Sequence, residues 1–208
     1  MQYKKKPFYD FVKRLFDVVV SLVFMLVFSG FYLVIAIMVA VSDGKGKPFF
    51  VQERCGINGK RFKLYKFRTM CVGAEEQKDD LMELNEADGP AFKIKDDPRI
   101  TPLGKVLRST NIDEFPQMMN IFLGDMSFVG PRPPLPDEVE QYNETDRLRL
   151  LVKPGLTCYW QASRNRNDIS VEQWMELDRK YIEDRSLWLD LKLMFKTVAV
   201  ILKHHDGR

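Results

Sequence analysis

Residues 18–41 form a run of 24 positions without a charged side chain. As one straight helix they reach roughly 36 Å, enough to cross a bilayer core of about 30 Å. On hydropathy alone this predicts a single spanning helix. A cleaved signal peptide fits less well, because the run is too long and no small-x-small pattern follows it. Two features argue against a simple span. Lys4, Lys5, Lys6, Lys13 and Arg14 precede the run and Lys45 and Lys47 follow it, so the positive-inside rule gives no direction. Ser29-Gly30 also falls mid-run, where serine can bond a carbonyl one turn back and glycine weakens the helix. A helix–break–helix that returns to its own face keeps both basic ends against anionic headgroups. Asp17, one turn after Lys13 and Arg14, is placed to pair with them.

The chain has 208 residues, room for one domain beside the apolar element. We divide it into residues 1–44, the basic segment and membrane-embedded helix, and residues 45–208, a domain on the cytoplasmic face. The net charge of +3 sets no global preference for a partner. No nucleic-acid-binding motif is present, so nucleic acid is not an expected partner. Cys55, Cys71 and Cys158 are far apart and lack zinc or C-x-x-C spacing, which points to a reduced compartment. His204 and His205 sit near a polar terminus and read as solvated.

Along the second segment, residues 48–70 carry a hairpin signature with Asn58-Gly59 as the turn. Phe62 and Leu64 share one face of its second strand, with Phe67 beyond them; Lys66 and Arg68 close it. Residues 74–87 read as a polar, solvated helix. A rigid turn then leads to a helix carrying Leu103, Val106 and Leu107. Residues 136–151 read as a charged helix, and Lys153 to Thr157 as a turn. Ser170 opens a helix that runs to Asp184. Residues 187–202 are apolar but include Asp190, Lys192 and Lys196. That charge content argues for packing, or for lying in the membrane interface with Trp188 as an anchor.

The stretch 111–134, N-I-D-E-F-P-Q-M-M-N-I-F-L-G-D-M-S-F-V-G-P-R-P-P, carries the chemistry. Thr110 or Asn111 can cap a helix whose first turn holds Asp113 and Glu114, since Pro116 is tolerated only that early. Acids in a first turn are often no more than partners of the macrodipole. Here Lys105 and Arg108 precede them, and Arg132 follows in a proline-stiffened turn. That combination suits phosphate and a divalent ion. Adjacent helical residues point roughly 100° apart, so this pair does not bracket a glycosidic bond as hydrolase carboxylates do.

In order, K-R-L-F-D, Y-K-F-R-T-M, I-D-E-F-P-Q, G-D-M-S-F-V-G-P-R-P and K-P-G-L-T resemble the bacterial sugar transferases known as monotopic phosphoglycosyl transferases. The resemblance runs from about Lys13 to Leu202. It implies an α+β, mainly helical fold: an N-terminal re-entrant membrane hairpin, a small β-hairpin and amphipathic helices at the interface. It implies transfer of a sugar 1-phosphate from a UDP-sugar to undecaprenyl phosphate at the bacterial inner membrane, in contact with phospholipid and with Mg2+. Asp113 becomes the expected nucleophile and Glu114 the metal ligand. Lys66, Arg68, Arg108 and Arg132 become expected phosphate-binding groups. Arg166 and Asn167 match the family's R-N-x-I-S pattern and join them, whereas Arg164 aligns loosely. Asp125 and Asp178 are weaker candidates, equally well explained by solvation or capping. At the break Ser29 matches, and Gly30 stands where the family has proline.

Two rival readings remain at this point. One is a catalytically silent, membrane-anchored nucleotide-sugar-binding or scaffold protein. The other is a single-span anchor on a soluble nucleotidyl transferase or phosphatase domain. The sugar is not fixed by the motifs, and homo-oligomer formation is left open.

Overall fold

The computed structural model of the protein describes residues 4–42, 46–77, 81–82, 94, 96–163 and 169–203. It is α+β and mainly helical. The uncharged run is not one helix. It is divided between α1 (Pro7–Val27) and α2 (Ser29–Ser42), bent by 66° at Phe28. No single helix among the described residues is long and apolar enough to cross a membrane. Ser29 Oγ donates to the Leu26 carbonyl at 2.9 Å, the back-bond expected of a serine at a bend. Gly30 has open space where a side chain would project, so neither close packing nor positive φ requires glycine there.

Both ends of the bent pair are tied to the remaining domain. Lys6 donates to the Arg185 carbonyl, and Arg185 donates to that of Lys4. Beyond α2, Arg68 donates to the carbonyls of Val39 and Lys47. Asp17 does not pair with Lys13 or Arg14. It is buried and accepts from the Ser127 hydroxyl and the Phe128 N–H, both at 3.1 Å. Lys13 instead pairs with Asp190 at 2.6 Å, and Arg14 donates to the carbonyls of Ile121 and Phe122. Tertiary partners with unmet backbone groups outcompete a helical neighbour, since an unpaired buried group costs more than an exposed pair returns.

The hairpin forms as expected, except that Phe67 lies on the opposite face of the second strand from Phe62 and Leu64. β1 (Phe49–Cys55) and β2 (Arg61–Phe67) pair antiparallel, with Phe49 opposite Phe67 and Cys55 opposite Arg61. Asn58 and Gly59 turn it with positive φ, which those two residue types tolerate best. Period-two alternation places Phe62, Leu64 and Lys66 on one face of β2 and sends Phe67 to the other. Phe67 thereby joins a second apolar cluster with Ile35, Val39 and Leu107.

After α3 (Pro102–Ser109), whose first turn is capped by Thr101, comes a 3-10 turn, Ile112–Glu114, and then α4 (Gln117–Leu123). Asn120 of α4 is fully buried and completes the open edge of β2. Its amide donates to the Lys63 carbonyl at 2.7 Å and its oxygen accepts from the Tyr65 N–H at 3.1 Å.

Three expectations are corrected. Lys153 to Thr157 is not only a turn: β4 (Gly155–Thr157) pairs parallel with β3 (Ser127–Val129). A Cβ at Gly130 or Gly155 would fall 2.3 or 2.0 Å from the backbone of the other segment, so this crossing admits only glycine. Residues 136–151 are not one helix but α5 (Pro136–Glu140) and a 3-10 segment, Asp146–Leu151. Asn143 interrupts them, its side chain accepting from the N–H groups of Thr145 and Asp146. Residues 74–77 form turns rather than helix, and most of the expected 74–87 helix lies outside the described residues.

α6 (Val171–Asp184) begins at Ser170 with a reciprocal Ser170–Gln173 cap, and α7 (Leu187–Lys203) packs through buried Leu193 and Asp190. Replacing Asn120 with alanine should cost about 2 kcal/mol, because it strips two hydrogen bonds and leaves the β2 edge unsatisfied. Urea unfolding of the Asn120→Ala protein checks this.

Candidate active site

Asp113 and Glu114 lie in the 3-10 turn ahead of α4, not in its first helical turn. Asn111 adopts a left-handed conformation (φ 56°) and its side chain caps nothing, which corrects the expected cap. Asparagine visits that region readily. Pro116, with no N–H to donate, starts α4 one step later.

The turn is gripped from three sides. Phe115 packs edge-on against Phe24 at 5.0 Å between ring centroids, and against Phe28, Phe31 and Tyr32 around the helix bend. The Tyr32 hydroxyl donates to the Phe115 carbonyl. From β2, Lys66 reaches Glu114, Nζ to Oε1 at 2.8 Å, with both side chains partly exposed. From α3, Arg108 sits five residues ahead of Asp113 with its Nε on the Thr69 hydroxyl at 2.8 Å. Asp113 itself is 7 % exposed, a carboxylate largely withdrawn from water.

Arg132 comes in on the G-P-R-P-P segment. Arg54, buried on β1, donates to the Pro133 carbonyl at 3.0 Å, and the Cys55 N–H to that of Pro134 at 2.9 Å. Burial lowers the Arg54 pKa to about 10; Arg132 adds to the decrease, while Glu138 and Glu114 oppose it. Arg54 thus lies within electrostatic reach of both Arg132 and Glu114. The sequence reading missed it. The available signal was its place, with Gln52, opposite Phe62 and Leu64 on the buried face of the hairpin.

Arg132 also stacks its guanidinium on Trp174, 5.5 Å from the ring centroid. Arg149 stands over the same ring at 4.9 Å and donates to the Arg132 carbonyl at 3.1 Å. Asp178 is neither solvated nor a cap: it is 1 % exposed and meets Arg149 at 2.6 Å.

Of the residues picked out from sequence, the fold therefore gathers Asp113, Glu114, Lys66 and Arg108 around one turn. Arg68 is committed to the carbonyls of Lys47, Met70 and Val39 and ties β2 to α2. Arg164, Arg166, Asn167, His204 and His205 lie outside the described residues. Cys55 and Cys158 are buried and all three cysteines are free; burial pushes the Cys158 thiol up to about 12, so it is inert.

Among the described residues no cluster of three or more His, Cys, Asp or Glu side chains could hold a metal. Two adjacent carboxylates nevertheless suit Mg2+, which takes one or two from a protein and completes its octahedron with water and substrate phosphate. The ammonium of Lys66 already marks where a cation sits against Glu114.

Burial raises the Asp178 carboxyl to about 6, against the pull of Arg149. Between about pH 4 and pH 6 the folded chain then holds a proton that the unfolded chain has released. This contribution to stability is complete below the unfolded value and is lost as pH rises through 6. Relative to Asp178→Asn, the wild type should gain stability as pH falls from 7 to 5, as measured by urea unfolding.

The profile of the family described as bacterial sugar transferase matches residues 8–204. The chain is 43% identical over 190 residues to the galactosyl transferase CpsE of Streptococcus agalactiae, covering 91% of this chain and 42% of that protein. It is 40% identical over 200 residues to the exopolysaccharide production protein ExoY of Rhizobium meliloti, covering 94% and 88%. It is 39% identical over 202 residues to the undecaprenyl-phosphate galactose phosphotransferase of Salmonella typhimurium, covering 95% and 41%. The chain thus spans about two-fifths of the first and third of these relatives and most of the second. With almost its whole length matched by the profile, the chain belongs to the bacterial sugar transferase family.

Proposed function

We propose that the chain is a membrane phosphoglycosyl transferase that moves a sugar 1-phosphate from a UDP-sugar to undecaprenyl phosphate and releases UMP. This is the first membrane step in building a capsule, exopolysaccharide, O-antigen or glycoprotein glycan. The observation that carries the reading is the largely buried Asp113 beside a lysine-paired Glu114, in a chain of this family.

In the first half-reaction a carboxylate oxygen of Asp113 attacks the phosphorus that bears the sugar. The bond from that phosphorus to the oxygen bridging the two phosphates breaks, and UMP leaves with the electron pair. The result is an aspartyl phosphosugar, a known type of covalent intermediate. In the second half-reaction a phosphate oxygen of undecaprenyl phosphate attacks the same phosphorus and the aspartyl–phosphorus bond breaks. The lipid diphosphate sugar forms and the carboxylate is regenerated.

Lys66, Arg108 and Arg132 neutralise the phosphates, with Arg166 and Asn167 assigned here by the family pattern alone. Glu114 is the residue that would hold Mg2+, which when bound offsets phosphate charge. Lys66, paired with Glu114 at 2.8 Å, holds that carboxylate in place beside the substrate.

The lipid acceptor requires the site to lie at a membrane. Leu15, Val19, Leu22 and Leu26 of α1, Leu33 and Ile37 of α2, and Trp188, Phe195 and Leu202 of α7 are all exposed. Exposed apolar surface of this extent is characteristic of a membrane or protein contact. In this reading α1 and α2 form a re-entrant hairpin entering from the cytoplasmic face of the inner membrane, and α7 lies in the interface. The docking of Lys6 and of Lys47 onto the same domain supports it.

Two experiments test these assignments. Asp113→Asn should fold normally yet lose UMP release by at least about a thousand-fold, because the covalent route is closed. Turnover is followed against a panel of UDP-sugars with undecaprenyl phosphate, and near-normal turnover by the variant would remove the nucleophile. For topology, Lys5→Cys and Lys47→Cys are labelled with an impermeant maleimide in a Cys71→Ser background. Neither should react until cells are permeabilised; external labelling of position 5 alone would establish a spanning helix.

A further inference from the structure

The buried group that the proposed chemistry leaves without a role is the Arg149–Asp178 pair. It lies away from the carboxylate turn, on the 3-10 segment and α6. Arg149 is 3 % exposed, yet its contacts all converge on one place. It pairs with Asp178 at 2.6 Å, a charge–charge contact rather than a well-directed hydrogen bond. It donates to the Tyr142 hydroxyl at 2.6 Å and to the Arg132 carbonyl at 3.1 Å, and it covers the Trp174 ring. Trp174 is in turn backed by Trp160, stacked at 5.6 Å. The same Trp174 ring receives the guanidinium of Arg132.

Burying an ion pair returns little net stability, because desolvation offsets the attraction. Such a pair is better explained by what it fixes. Here it fixes both ends of one residue: Arg149 holds the Arg132 backbone, and the tryptophan that Arg149 covers holds the Arg132 side chain. Two like-charged guanidiniums share one ring, and Asp178 supplies the negative charge that makes this tolerable.

We infer that Arg149, Asp178 and Trp174 are positioning residues for Arg132, aiming its guanidinium at the diphosphate of the nucleotide sugar. The inference rests on the reading of Arg132 as a phosphate-binding group. It assigns these three residues to substrate affinity rather than to the chemical step. Arg149→Lys keeps the charge but loses the planar fork whose two arms reach the Tyr142 hydroxyl and the Arg132 carbonyl. Trp174→Phe keeps an aromatic face of smaller area and is the milder change if the lysine variant folds poorly.

The test is a double-mutant cycle with Arg132→Ala, read as KM for the UDP-sugar and as UDP affinity by calorimetry. Arg149→Lys and Trp174→Phe should each raise KM and weaken UDP binding about ten-fold, with kcat per active enzyme changed less than about three-fold. Active enzyme is counted by the burst of UMP. In the Arg132→Ala background the same substitutions should change affinity less than two-fold, since residues acting through one another are non-additive. A merely structural role would lower the active fraction and thermal stability but leave KM alone, or would add fully to Arg132→Ala; either result overturns the inference. If the wild type binds UDP but releases no UMP from any UDP-sugar, the proposed reaction fails and the calorimetric cycle still decides the coupling. A wild type that binds no UDP removes both.

Discussion

The contact on which the rest of the structure depends is Phe115 beneath the bend between α1 and α2. Its ring meets Phe24, Phe28, Phe31 and Tyr32, and its carbonyl takes the Tyr32 hydroxyl. Aromatic pairs of this geometry each add of order 1 kcal/mol beyond the area they bury. Because Phe115 directly follows Asp113 and Glu114, the apolar helices and the carboxylates cannot be placed independently. In the proposed reaction the acceptor is a lipid, which needs the reactive group at the edge of the apolar phase; a bent helix pair resting on the Asp113–Glu114 turn would supply that arrangement. The bend itself does not require a proline. Ser29 back-bonds to Leu26, and packing over Phe115 holds the angle with Gly30 in helical conformation.

Charge is handled by a second device, in which buried or half-buried polar side chains serve backbone rather than water. Arg54 holds the Pro133 carbonyl, Arg14 the end of α4, Arg68 the end of α2, and Asp17 the Phe128 N–H. Each joins segments distant in sequence, so the site's frame is built from charged groups that in sequence look like surface residues. Loops rich in proline and glycine gain fixed geometry this way without needing long strands or helices.

That division explains what could be read from the sequence. The β1–β2 hairpin was legible because its turn, Asn58-Gly59, and its alternation are local. So was α6, through the Ser170–Gln173 cap, and so, to within a residue or two, was the break expected at Ser29-Gly30, which falls at Phe28. The acidic pair was legible as chemistry but not in its local structure, because nothing local distinguishes a 3-10 turn with a left-handed Asn111 from a capped helix. β3 and β4 were not legible: each has three residues, and their parallel pairing depends on Gly130 meeting Gly155 across the chain. Arg149 was hidden in D-R-L-R-L-L, which has the look of a solvated helix, since its partners lie on α6 and on the Arg132 loop.

The central claim is that Asp113 becomes covalently attached to the phosphosugar before any lipid is involved. The most direct measurement is mass spectrometry of the protein after brief incubation with its UDP-sugar in the absence of undecaprenyl phosphate, followed by proteolysis. The account predicts a phosphosugar adduct on the peptide containing Asp113, with one UMP released per enzyme, and discharge of the adduct when undecaprenyl phosphate is added. UMP release that appears only when the lipid acceptor is present, with no adduct on that peptide at any time, would mean direct transfer between substrates and would contradict it.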